Sequence, residues 1–96
     1  MMKVSIPAEA GNKAIKDGSL PKVIMGFMEK AKPESAYFTA EGGKRMSYFV
    51  FDLKDPTYIP ALAEPFFMGF NAEIDLKPVM NSEELKAGLD KASQNF

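Results

Sequence analysis

The chain has 96 residues, and its twelve basic and thirteen acidic side chains give a formal net charge of −1, a balance that selects neither a polyanion nor a membrane surface as partner. It contains no cysteine and no histidine. Disulfides, thiolate nucleophiles, zinc fingers and the imidazole base or haem ligand are thereby excluded, so any catalysis falls to carboxylates, lysine or tyrosine, and neither a metal nor a cofactor is expected.

The opening MMKVSI sets Met2, Val4 and Ile6 on one side and Lys3 and Ser5 on the other, the period of a short strand that Pro7 ends. The first eleven residues hold no apolar stretch of signal-peptide length, so a cytoplasmic location without a membrane partner is expected. Pro7–Gly18 has two glycines and mixed polarity, and reads as a loop with a helical turn near Asn12–Lys16, either shaping a pocket rim or a contact between subunits or forming only an irregular first turn of the next helix. SLPKVIMGFMEKAK then predicts a helix capped by Ser19 and stopped by Pro33. Its apolar stripe is Leu20, Val23, Ile24, Phe27, Met28 and Ala31.

Two strands flank Gly42-Gly43, a pair suited to a hairpin turn with positive φ at both central positions. A two- or four-residue loop sets Thr39 against Met46, Tyr37 against Tyr48 and Ala36 against Phe49; a three-residue loop with a bulge shifts that register. The second of these strands is apolar on both faces, with Met46, Tyr48 and Val50 on one and Phe49, Phe51 and Leu53 on the other. Asp55 and Pro56 open a second helix with the stripe Ile59, Leu62, Ala63, Phe66 and Phe67, which Pro60 and Pro65 are expected to shorten or kink. Within it, Phe66, Phe67, Met68 and Phe70 suit either the lining of a ligand mouth, where methionine adapts to irregular shapes, or core, and core is favoured. A strand follows, Ala72, Ile74 and Leu76 alternating with Glu73, Asp75 and Lys77. A last helix begins at the capping box Asn81 to Glu84 and turns Leu85, Leu89 and Ala92 inward.

The order β-α-β-β-α-β-α makes one α+β domain over 1–96, a ferredoxin-like βαββαβ unit with a C-terminal helix. The expected sheet has four antiparallel strands in the order 4-1-3-2, with both main helices on one face. Phe49, Phe51 and Leu53, with Phe38 and Ala36, suit the dry helix side. Tyr37, Thr39, Met46, Tyr48 and Val50 form the opposite face, whose hydroxyls and apolar groups suit an interface. A chain of this length buries only roughly two-thirds of its unfolded surface, and a second copy is the simplest cover for that face.

The stretches GNKAIKDGSL, KPESAYFTAEGGKR, IPALAEPFFMGFNA and PVMNSEEL resemble short single-domain bacterial proteins of uncharacterised function, and the whole pattern resembles the dimeric α+β barrel superfamily. The resemblance implies two ferredoxin-like sheets packed face to face in a homodimer. Characterised members of that superfamily include cofactor-free monooxygenases, muconolactone isomerases and haem-degrading enzymes. The missing histidine sets the last group aside.

Three functions follow as expectations. The first is a small homodimeric protein that binds an apolar or aromatic metabolite near the sheet, with Tyr37 and Tyr48 as hydrogen-bond donors. Its enzymatic variant, a cofactor-independent isomerase or monooxygenase, takes Glu73 or Asp75 as base if burial raises its pKa. Against this stands ordinary packing of the tyrosines, with Lys3 paired to Glu73 or Asp75 on the surface. The second is a purely structural or regulatory dimer. The third, RNA binding, is disfavoured, because the first strand offers Lys3 and Ser5 where base-stacking aromatics would stand and Arg45 is the single arginine.

Overall fold

Gly42 and Gly43 both sit at positive φ, 60° and 77°, and close a two-residue turn that side chains with a Cβ resist. The turn joins β2 (Ser35–Glu41) to β3 (Lys44–Val50) and pairs Thr39 with Met46, Tyr37 with Tyr48 and Ala36 with Phe49. β1 (Met2–Ile6) lies between β3 and the short edge strand β4 (Glu73–Leu76), antiparallel to both. The strand order is therefore β2-β3-β1-β4. The computed structural model describes residues 1–95, and adds four helices to this sheet: α1 (Ala8–Lys16), α2 (Ser19–Ala31), α3 (Ile59–Phe70) and α4 (Ser82–Ser93). This α+β arrangement is compatible with a ferredoxin-like fold.

The core forms where Met2, Val4 and Ile6 of β1 and Phe49 of β3 meet Leu20 and Phe27 of α2 and Leu62, Phe66 and Phe70 of α3. Phe49 is its centre. Its ring lies 4.4 Å from that of Phe27, 5.7 Å from Phe38 and 6.4 Å from Phe66, and burying such a side chain contributes about 1.5–3 kcal/mol. Phe51 packs edge-on against Phe27 at 5.6 Å. The dry side of β3 is thus the helix side, and among the described residues no helix covers the other face of the sheet.

Several expectations change. Pro7–Gly18 is not a loop: Ala8–Lys16 is a nine-residue helix with Gly11 and Ala14 buried. Its glycine hides the signal, because Gly11 faces the protein and leaves no apolar side chain to mark the stripe. Ser19 does not cap α2. Gly18 occupies that position in the left-handed region, and the Ser19 amide donates to the Asp17 carboxylate at 2.8 Å.

Asp55 does cap, accepting from the Thr57 amide, but it opens a 3₁₀ turn (Pro56–Tyr58) that leads into α3. α3 continues through Pro65. The amide missing there would have bonded the Ala61 carbonyl, and Ala61 is exposed, so water can serve that oxygen. The cluster after Pro65 divides: Phe66 and Phe70 are core, while Phe67 is half-exposed and Met68 is 83% exposed.

α4 differs most from expectation. The Asn81–Glu84 capping box forms in both directions, at 2.8 and 3.0 Å. Yet Leu85 and Leu89 do not turn inward, being 47% and 58% exposed. No residue of α4 is buried, and the described part of the molecule extends 55 × 28 × 18 Å. Periodicity shows that a helix has an apolar stripe, but says nothing of whether its own chain covers it.

Candidate functional site

The register of the sheet aligns four side chains across all four strands of the helix-free face. Tyr37 is opposite Tyr48, Tyr48 is opposite Lys3, and Lys3 is opposite Asp75. One rung away run Thr39, Met46, Ser5 and Glu73. The expected donors and acids therefore share one face, and that geometry follows from the alternation of side chains along each strand.

A hollow of about 270 Å³ opens in this face, with Lys3, Glu41 and Lys44 among its walls, Met46 in its lining and Glu73 and Asp75 toward β4. Met46 is only 6% exposed. The long neighbours that share the hollow already shelter it, so its expected cover by a second copy is supplied within the chain. Tyr37 is the exposed aromatic of the face, at 68%.

Lys3 pairs with neither Glu73 nor Asp75. Its ammonium lies 3.4 Å from a Glu41 carboxylate oxygen and 5.8 Å from the centre of the Tyr48 ring. The Tyr48 hydroxyl donates to the other Glu41 oxygen at 2.8 Å. Glu41 is not among the residues that the sequence marks for this site. It follows Tyr37 and Thr39 at the strand period, and that phase is its available signal. What the phase omits is that Tyr48 leans along the hairpin toward the turn.

These three groups fix one another's charge. The Tyr48 hydrogen bond and the Lys3 ammonium hold the Glu41 carboxyl below its ordinary range. Hydrogen bonding to Glu41, with some desolvation, raises the Tyr48 phenol, and the same carboxylate raises Lys3. Near neutral pH the site therefore presents a protonated phenol, a carboxylate and an ammonium in fixed places. Such a set suits recognition of a polar group better than proton transfer, which needs a group poised near the working pH. Glu73 and Asp75 are both exposed, so the burial that would make either a base is missing. Among the described residues no cluster of three or more acids could hold a metal, and no helix is long and apolar enough to cross a membrane. No protein-family model, curated protein or solved structure matches the chain.

Proposed function

We propose that this chain acts as a homodimer, with two helix-free sheet faces apposed about a two-fold axis in the manner of a dimeric α+β barrel. A small apolar or aromatic metabolite would then lie over the row formed by Tyr37, Tyr48 and Lys3. The observation that carries the reading is the sheet face itself, where an exposed Tyr37 adjoins the Lys3, Glu41 and Tyr48 cluster without any helix above them. Tyr37, Thr39, Tyr48 and Val50 would supply the interface, each meeting its symmetry mate or a neighbour of it, while Met46 is already covered within its own chain. The exposed Leu85 and Leu89 of α4 support association further, since no helix or strand among the described residues covers them.

Binding is favoured over an isomerase or monooxygenase activity, because Tyr48 holds its proton and the remaining acids of the face are exposed. Sedimentation equilibrium at micromolar concentration should give twice the 10.6 kDa chain mass. Tyr37→Asp, which brings like charges together near the axis, should give a folded monomer. A wild-type chain that stays monomeric at that concentration would overturn the reading. Benzoate and salicylate should raise Tm in the wild type and less in Tyr48→Phe. A dimer indifferent to both compounds would be assigned a structural role.

A further inference from the structure

A second cavity lies on the helix side of the sheet, away from the face described above. It measures about 700 Å³, within the usual range of about 300–1,000 Å³ for small-molecule sites, and it opens between the C-terminal end of α2, the stretch after β3 and the start of α3. Phe51, Leu53 and Leu62 give it an apolar lining, and Tyr58 stands at its edge, 58% exposed. A smaller hollow of about 250 Å³ between α2 and α3 adjoins it, sharing Lys30, Ala61 and Leu62 and reaching Gly26, Phe27 and Phe66. The apolar lining thus continues from one into the other.

The charge around this cavity departs from that of the chain. Lys30, Lys32 and Lys54 line it against a single acid, Asp52, whereas the chain as a whole carries a net charge of −1. All three lysines are exposed, and the one ion pair among the described residues, Lys3 with Glu41, lies on the other face. Lys30 in the last turn of α2 and Lys32 at its C-cap both complement the helix dipole, but that account does not extend to Lys54.

Lys32 is the telling residue. It ends α2 in the left-handed region, at φ 45° and ψ 60°, where glycine is the usual choice and a Cβ is strained. A lysine kept in that conformation at a cavity rim is the kind of local strain that functional sites store.

We propose that this cavity binds a small amphipathic anion. Its acyl or aromatic body lies against Phe51, Leu53 and Leu62, and its carboxylate or phosphate head sits among Lys30, Lys32 and Lys54. The site is independent of the sheet face and of dimerisation.

Octanoate, octyl phosphate and the uncharged octanol are the probes, followed by calorimetry and by amide shifts in ¹⁵N-labelled protein. Octanoate or octyl phosphate should shift residues 30–32 and 51–54 and bind about tenfold more tightly than octanol, as two or three weak ion pairs together imply. Added salt should weaken the anions but not octanol. The stronger of the two anions identifies the head group. Lys32→Gly gives the sharpest result: relief of the left-handed strain should raise Tm by about 4 °C, while affinity for the anion falls about threefold. Lys54→Ala should lower affinity similarly, and Lys91→Ala, on α4, should leave it unchanged. The proposal is overturned if octanol binds as tightly as the anions. It is equally overturned if shifts fall only around Tyr37 and Tyr48, if no probe binds, or if Lys32→Gly gains stability with no loss of affinity.

Discussion

Arg45 closes over Gly11 so tightly that a Cβ on that glycine would lie 2.5 Å from the guanidinium Nη1 and 3.3 Å from Cδ. The guanidinium donates to the Ala8 carbonyl at 3.4 Å and to Asn12 Oδ1 at 3.1 Å, tying α1 to β3. A helix interior ordinarily gains about 1 kcal/mol from Gly→Ala. Here the added Cβ must push the Arg45 guanidinium aside and weaken its two exposed hydrogen bonds, each worth about 0.5–1.5 kcal/mol. Gly11→Ala should therefore gain little or no stability, while the same change in an Arg45→Ala background should stabilise by about 1 kcal/mol. Urea unfolding of the four proteins in the cycle checks the coupling between the two sites.

The cluster of Lys3, Glu41 and Tyr48 gives stability a defined dependence on pH. The Glu41 carboxyl is depressed, so its contribution is present above the ordinary carboxylate value of 4.5 and is lost as pH falls through the lowered one. Tyr48 and Lys3 are raised, so theirs is present below 10.0 and 10.5 and is lost as pH rises past the raised values. The difference in Tm between wild type and Glu41→Gln should be flat from about pH 5 to 9.5 and shrink outside that window. High salt should reduce it throughout, since all three groups are solvated. A difference that grew as pH fell below 4 would contradict the assigned sign.

Phe49 joins the sheet to α2 and α3 through its ring contacts with Phe27 and Phe66, and also meets Phe38 of β2 within the sheet. Phe49→Ala should cost about 4 kcal/mol by loss of burial and by the cavity left behind, most of the stability of a small domain, which starts at about 5 kcal/mol. Phe49→Leu should cost less than about 2 kcal/mol, because the volume is largely kept. Denaturant midpoints with unchanged m-values would establish the difference.

Replacing Leu85 and Leu89 together by glutamate tests what the stripe of α4 is for. Both are exposed in the single chain, so monomer stability should change by no more than about 0.5 kcal/mol. Self-association should weaken by at least about tenfold if the stripe is covered by a second copy. Sedimentation velocity against concentration, with circular dichroism to confirm that the helix persists, separates the two effects. An unchanged association constant would remove α4 from the interface.

Local rules carried much of the architecture. The Gly42-Gly43 pair gave the hairpin its turn type and, through it, three cross-strand pairs; alternation placed Phe49 with the helices and Tyr48 away from them. The capping box at Asn81 was legible because both partners lie within four residues. What escaped the sequence depended on distant partners. α1 was masked by Gly11, whose burial makes sense only once Arg45 lies beside it. The partner of Lys3 escapes because Asp75 stands directly opposite it on β4, whereas Glu41 reaches it from β2 across the intervening β3. The lysines of the helix-side cavity come from α2 and from the stretch after β3, and no spacing along the chain announces that they meet.

The length of the described molecule bears on how it moves in solution. Its radius of gyration is 15.9 Å, against about 13 Å for a compact globule of this size. A free monomer would thus feel more drag than its mass implies and elute from a sizing column early, where a heavier sphere would appear. If α4 folds down on a second copy, the frictional ratio should fall as the mass doubles, so elution volume alone would barely distinguish the two species. Scattering resolves them: the largest interatomic distance would stay near the single-chain length while the forward intensity per unit concentration doubles.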